Sequence, residues 1–340
     1  MERVVTFGEL MLRLSPCGYE RIVQADTFEV SFGGGEANVA VSLANFGLDA
    51  SFVSKIPEGE LGQSAVNSLR RYGVDTRNIV RGGDRLGIYY LEKGASQRPS
   101  KVIYDRAHSA IADASPNDFD WESILKDACW FHFTGITPAL SDSAAESCLN
   151  AVQTAKANGI KVSCDLNYRK KLWTKEKARA VMNELCDYVD VLIANEEDAS
   201  DVFDIRSEGT SVTSGIVNTD GYKEVARRLS DRFGTEYVAI TLRTSVSASD
   251  NVWAAMLYDG KEYYLSKSYN VHIVDRVGGG DSFGAGLIYS LIKGKDNRYA
   301  VEFATAASCL KHSIEGDFNM VSANEVEKLV CGDGSGRVQR

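Results

Sequence analysis

The chain lacks several features that would place a protein outright. Its seven cysteines are odd in number and none stands in C-x-x-C spacing. That argues against a disulfide framework or a zinc site, and for reduced, packed thiols in a cytoplasmic compartment. The first residues carry Glu2, Arg3, Glu9 and Arg13 without a long apolar run, so neither a signal peptide nor a membrane anchor is expected. Positive charge is in deficit: 38 Lys plus Arg stand against 47 Asp plus Glu, a net −9. This balance disfavours a nucleic-acid or anionic-membrane partner. A few arginines and a metal ion can still reverse the field inside a cleft and admit a small anion. The phosphate-loop pattern G-x-x-x-x-G-K-[ST] is absent, and G-x-G-x-x-G fails at Phe283. Two common nucleotide-binding designs, the nicotinamide dinucleotide fold among them, are thereby disfavoured. No internal repeat or low-complexity linker divides the chain.

What remains is 340 residues, 44% hydrophobic and 25% charged, enough for one large α/β domain or two ordinary ones. Helical patterns at 36–46, 62–72, 144–157, 175–187 and 222–233 alternate with short apolar strands at 51–53, 160–164, 189–194 and 237–242. Gly47, Gly73 and Gly159 stand as helix stops. Strands apolar on both faces and separated by helices predict a mostly parallel central sheet covered by helices on both sides, an α/β fold. Ligands of such sheets sit beyond the carboxyl ends of the strands.

Two stretches break the rhythm. Residues 9–32 (with LMLRLS and FEVSF) and 86–106 (with GIYYLE and KVIYDR) contain no helix and alternate like half-exposed antiparallel strands. They are expected to pair as a small inserted β-sheet lid. The resulting division is an α/β body of 1–8, 33–85 and 107–331, a lid of 9–32 and 86–106, and a loose tail, 332–340. The open edges of such a lid make a homo-oligomer through it a further expectation.

The chemistry-bearing element is DRVGGGDSFGAGL, residues 275–287, between a strand-like segment at 271–274 and a long apolar helix pattern. Gly278, Gly279 and Gly280 leave backbone N–H groups unobstructed where a strand turns into a helix. The helix N-terminus adds partial positive charge, and together they form a seat for an anion. Asp281 lies in the first helical turn beside that seat. A carboxylate there can take a proton from an incoming hydroxyl while the amides hold the charge of a transferring phosphoryl group. An Asp favoured at a helix start for capping alone is the competing explanation.

DRVGGGDSFGAG resembles the second signature of the ribokinase/PfkB carbohydrate kinases, usually D-T-x-G-A-G-D, and FGGGEANVAVSLANFG (32–47) is similar to the first. The segments VIYDR (102–106), FHFTGITPAL (131–140), CDLNYRKKLW (164–173) and ANEED (194–198) resemble the 2-keto-3-deoxygluconate kinases of that family. The resemblance implies a ribokinase-like fold with ATP and Mg²⁺ as cofactors. It implies ATP-dependent phosphorylation of 2-keto-3-deoxygluconate at its 6-hydroxyl, with Asp281 as catalytic base and Gly278 to Gly280 as the anion hole. For substrate binding it points to Gly33, Gly34, Asn38, Tyr89, Tyr104, Arg106, Ile136 and Arg169. With the nucleotide and Mg²⁺ it associates Asp165, Asn167, Asn195, Glu196, Asp198 and Arg243. No direct protein ligand to the metal is assigned. The sequence departs from the common pattern at Arg276, at Gly279, at Asp198, where Glu is usual, and in the loop 242–249, which lacks glycines. The alternatives are a kinase for fructose, ribose or 5-keto-2-deoxygluconate, or an inactive sugar-sensing protein on the same fold.

Overall fold

The computed structural model describes residues 2–206 and 219–332. Most of the expected tail lies outside the described residues, as does 207–218 of the expected body. The central sheet is built around seven parallel strands: β1 (Arg3–Phe7), β4 (Asp49–Ile56), β5 (Ile79–Arg81), β8 (Trp130–Thr134), β9 (Lys161–Asp165), β10 (Val191–Ala194) and β11 (Tyr237–Ser245). Their order is β11-β10-β9-β8-β1-β4-β5. Three antiparallel strands, β12 (Asp250–Tyr258), β13 (Tyr263–Leu265) and β14 (Tyr269–His272), extend the β11 edge. The expected strand at 271–274 is this β14, two residues earlier.

Burial explains the strand chemistry. WFHFT of β8 and VLIA of β10 are buried throughout, because helices cover both faces. In β1, Val5 and Phe7 pack into one core and Val4 into the other, as the two-residue strand period requires. The first core includes Phe131, Phe133 and the inner faces of α4 (Asp142–Ala157) and α5 (Lys175–Cys186). The second holds α1 (Gly35–Asn45), α8 (Gly279–Ile292) and α9 (Asn297–Lys311). The remaining helices are α2 (Glu60–Arg70), α3 (Trp121–Leu125), α6 (Glu196–Phe203), α7 (Thr219–Phe233) and α10 (Ala323–Val330). Helices α8 and α9 approach closely because Gly286 has no side chain: a methyl there would meet the Ala304 Cα at 2.8 Å.

Most helix starts are capped by their own sequence. Ser141 accepts from Ala144 N at 3.1 Å, Thr174 from Lys177 N at 3.3 Å and Asp296 from Tyr299 N at 2.9 Å. Helices α1 and α8 differ. Their caps are Gly34 and Gly278, without a side-chain cap hydrogen bond. Gly279 N donates to the Arg276 carbonyl at 3.3 Å, and the remaining N–H groups of the two first turns stay open to a ligand.

The two stretches expected as a lid form one four-stranded sheet, β3 (Glu29–Gly33), β2 (Met11–Ser15), β6 (Ile88–Glu92) and β7 (Lys101–Asp105), in that order. Its two outer pairings are antiparallel, whereas β2 and β6 run parallel, Arg13 opposite Tyr89. Their alternation alone does not distinguish that junction, since both pairings share the two-residue period.

Candidate active site

The uncapped N-termini of α1 and α8 open into one cleft of about 530 Å³ at the carboxyl ends of the parallel strands. Asp281, in the first turn of α8, is half-buried at its floor. Its carboxylate accepts from the Asn38 side-chain amide at 2.6 Å, and Asn38 Oδ1 in turn accepts from Gly34 N at 3.3 Å. Burial pushes the Asp281 carboxyl up to about 6, against the lowering effect of the Asn38 hydrogen bond. A base in that range is mostly ionised at neutral pH yet basic enough to take a proton.

The three glycines of the turn play different parts. Gly278 adopts φ 83°, and a methyl there would lie 2.0 Å from the Asp317 carbonyl. A methyl on Gly279 would meet the His312 ring at 2.6 Å. Absence of a side chain at Gly279 therefore makes room for His312, beyond adding backbone freedom. Gly280 is exposed, with open space where its side chain would be, so that space is left to whatever occupies the cleft.

The acidic rim is made by Asp165 at the end of β9 and by Asn195 and Asp198 at the start of α6. Asn195 caps α6, accepting from Asp198 N at 2.8 Å, and its amide donates back to the Asp198 carboxylate at 2.8 Å. Asp198 also accepts from Tyr168 N at 3.2 Å. The Asn195–Asp198 pair is thus a reciprocal cap that faces the cleft. Burial pushes Asp198 up to about 7. Burial, then the charges of Asp198 and Asp281, hold Asp165 well above the usual carboxylate range. Asn167 lines the same wall with φ 39°. Glu196 opens α6, and its side chain lies outside the described residues. Arg243, on β11, and Arg276 line the opposite wall, where Arg276 donates to the Ala248 carbonyl at 2.9 Å.

On the sugar side of the resemblance, Gly34, Asn38, Tyr89, Tyr104, Arg106, Ile136 and Arg169 all line the cleft. Gly33 does not: it is buried beside Asp317, where a methyl would come within 1.9 Å of the carboxylate. Gly34 and Gly35, next to it, line the cleft. Tyr89 is 3% exposed and donates its hydroxyl to Asp317 at 2.5 Å. Arg106 ion-pairs with buried Glu9 and lies over the Tyr104 ring at 5.3 Å. The Ile136 amide donates to Thr134 Oγ1 at 3.1 Å. Arg169 is exposed, donates to the Tyr168 carbonyl at 3.4 Å, and forms no ion pair among the described residues. A larger outer cleft of about 980 Å³ adjoins this one, sharing Tyr104, Arg106 and Arg169.

Several residues here escaped the motif reading. Buried Glu36 accepts from Thr134 N at 3.0 Å and from the hydroxyls of Thr134 and Thr137 at 2.8 and 2.6 Å. It thereby ties the start of α1 to the end of β8. Arg13, Lys311, His312 and Asp317 surround the glycine turn from below. Their signal in sequence was weak, because each belongs to a segment distant from any glycine motif.

Comparison with known proteins agrees with this architecture. The model of the "pfkB family carbohydrate kinase" matches residues 1–322. A Haloferax volcanii protein named 2-dehydro-3-deoxygalactonokinase is 35% identical over 98% of both chains. A Bacillus subtilis 5-dehydro-2-deoxygluconokinase is 27% identical over 96% of this chain and 95% of that protein. The crystal structure of the Thermotoga maritima 2-dehydro-3-deoxygluconokinase superposes with a TM-score of 0.94 at 52% identity, covering 97% of this chain and 98% of that one. With the ribokinase-like fold and the cleft in place, the chain belongs to the PfkB family of carbohydrate kinases, and it is a sugar kinase.

Proposed function

We propose that the chain transfers the γ-phosphoryl group of ATP to the 6-hydroxyl of 2-keto-3-deoxygluconate (2-dehydro-3-deoxygluconate), giving the 6-phosphate and ADP. The observation that carries the reading is Asp281, held by Asn38 between two uncapped helix N-termini, with Arg169 beside it in the same cleft. The 6-hydroxyl oxygen forms the new P–O bond, the bond from the γ-phosphorus to the ADP oxygen breaks, and the hydroxyl proton passes to Asp281. The open amides around Gly280 hold the charge on the transferring group. Mg²⁺ supplies neutralisation of the triphosphate when bound. The chain suits such an ion: the carboxylates of Asp165 and Asp198 line the cleft, and burial holds both above the usual carboxylate range, so a bound cation would stabilise their charged form.

The carboxylate of the sugar acid is read by Arg169, with Arg106 and Tyr104 arriving from the lid. Planar guanidinium and carboxylate groups match through paired charge-assisted hydrogen bonds. In this reading the lid of 9–32 and 86–106 closes over the sugar and keeps water from the phosphoryl donor. Exposed Val23, Val30 and Ile103 on the lid segments support a homo-oligomer through it. The protein works in the cytoplasm, where reduced thiols such as buried Cys148, Cys164 and Cys186 persist.

The Haloferax relative's name favours a second reading, in which the substrate is the galactonate epimer, with the same carboxylate and 6-hydroxyl. One experiment separates these: ADP release measured with 2-keto-3-deoxygluconate, its galactonate epimer, 5-keto-2-deoxygluconate, fructose and ribose. The highest kcat/KM is expected on 2-keto-3-deoxygluconate. Preference for the epimer moves the assignment to it, and preference for a neutral sugar overturns the acid-recognition reading.

A further inference from the structure

Three lid strands converge on one buried cluster beneath the glycine turn. Arg13, on β2, donates Nη2 to Asp275 at 2.5 Å and Nη1 to Asp317 at 2.6 Å. Tyr89, on β6, donates its hydroxyl to the other Asp317 oxygen. The end of β3, at Gly33, packs against the same carboxylate. On the body side, the Asp275 carboxylate accepts from Val277 N at 3.1 Å and Gly316 N at 3.2 Å. Lys311 donates its ammonium to the carbonyls of Asp275 at 3.4 Å and Ile314 at 3.0 Å. Gly278 rests directly on this layer, since a methyl there would meet the Asp317 carbonyl at 2.0 Å and the Lys311 Cε at 3.3 Å.

The cluster therefore sets two cations, Arg13 and Lys311, against two anions, Asp275 and Asp317, each at most 3% exposed. Buried ion pairs add little net stability over a well-packed apolar cluster, and their best-attested benefit is to specify one arrangement. Arg13 does not line the reaction cleft. It nevertheless spans the first residue of the glycine-turn segment and the loop on which Gly278 rests, which no other lid side chain does.

We propose that Arg13 is a positioning residue for phosphoryl transfer: through Asp275 and Asp317 it fixes the glycine turn, so that the anion seat comes into register only when the lid strands are docked. The guanidinium fork is suited to this role because its two Nη atoms reach two different carboxylates, whereas a lysine ammonium reaches one. Docking of the lid and assembly of the seat then become one event, and a sugar kinase gains a seat that is in register only under a docked lid. The inference rests on phosphoryl transfer to a sugar and not on which sugar it is. The experiment is run on the preferred substrate of the wild type, so failure of the substrate assignment and failure of this proposal are distinguishable.

The test compares Arg13→Met with Lys93→Met. Lys93 also ties the lid to the 312–317 loop, through an ion pair with exposed Glu315, but it does not touch the turn. Misplacing a reacting group by about 1 Å costs on the order of 10²-fold, so Arg13→Met is expected to lower kcat by about 10²-fold. The sugar KM should change by less than about 3-fold, because an interaction felt only in the transition state appears in kcat. Lys93→Met should keep kcat within about 2-fold, as an ion pair whose Glu315 partner is exposed contributes little. Three results overturn the proposal: an unchanged kcat in Arg13→Met, a loss confined to the sugar KM, or an equal kcat loss in Lys93→Met. Should Arg13→Met not fold, Arg13→Lys carries the comparison, since it keeps the cluster neutral but reaches one carboxylate. A kcat loss of about 10-fold at unchanged KM supports the proposal, and wild-type turnover overturns it.

Discussion

The Asn38 amide donates to the Asp281 carboxylate across 2.6 Å, joining two helix starts that lie 243 residues apart in the chain. The first glycine-rich element and the second are therefore parts of one site. Asn38 orients the Asp281 carboxylate, and Asp281 in turn holds the side chain of Asn38.

Replacing Asp281 by Asn separates chemistry from folding. An amide oxygen can still accept from Asn38, and Asn suits a helix start about as well as Asp. Loss of the general base is expected to cost about 10²–10⁴-fold in kcat with ATP binding retained. Stability should move the other way. The folded-state carboxyl is raised to about 6, so ionising it opposes folding as pH rises from the ordinary carboxylate range through 6. The Asn variant should thus melt at the same or a higher temperature at pH 7.5, with the gap closing near pH 4. Calorimetric melts at the two pH values check this, and a variant with more than about a tenth of wild-type kcat would remove Asp281 from the mechanism.

The same group sets the acid limb of the rate profile. Protonated Asp281 cannot accept the hydroxyl proton, so kcat/KM should fall with a one-proton slope as pH drops through about 6. The Asn38 hydrogen bond lowers this value. Asn38→Ala should consequently move the limb to higher pH, besides lowering the plateau. A limb that stays in place in Asn38→Ala would show that another group limits the rate.

Gly278 and Gly280 should respond differently to the same methyl. At Gly278, φ 83° and the Asp317 carbonyl 2.0 Å from the new carbon both oppose alanine, with a cost of about 1–3 kcal/mol from the backbone alone. At Gly280 no atom lies within 4 Å, so Gly280→Ala should fold normally. Its methyl enters the anion seat, and loss of one such donor contact costs about 10²–10³-fold in kcat. Melting temperature should therefore fall only in Gly278→Ala, whereas turnover should fall in both variants.

Much of this was legible in the sequence, for physical reasons that mark its limits. Doubly apolar strands such as VLIA and glycine-stopped helices report the parallel body directly. The triple glycine marks the strand-to-helix turn at the start of α8 because few local structures need three in a row. The parallel β2–β6 junction was not legible, because strand alternation is the same in either direction. Nor was the quartet of Arg13, Asp275, Lys311 and Asp317 assembled. Its members come from β2, the turn, the end of α9 and the loop that follows it, and a charged residue in an alternating strand such as LMLRLS reads equally as solvent-facing. The packing of Gly33 against Asp317 was not legible either, because sequence does not show which neighbour a glycine lies against.

The substrate's charge is the remaining prediction. Arg169 follows the end of β9, stands exposed at the junction of the two clefts, and forms no ion pair among the described residues. Of the two arginines on the sugar side, Arg106 is already paired with Glu9, so Arg169 is the one with its fork available for a ligand carboxylate. Lysine keeps the charge at that position and loses the fork. Charge-assisted hydrogen bonds contribute about 1.5–3 kcal/mol each, and each 1.4 kcal/mol is roughly tenfold. Arg169→Lys should then lower kcat/KM for 2-keto-3-deoxygluconate by about 10-fold or more. Any activity on fructose, which has no carboxylate, should barely change. The paired measurement matters because general damage to the cleft lowers both activities together. Undiminished sugar-acid kinetics in Arg169→Lys would mean that the carboxylate is read elsewhere in the cleft, with Arg106 released from Glu9 as the next residue to test.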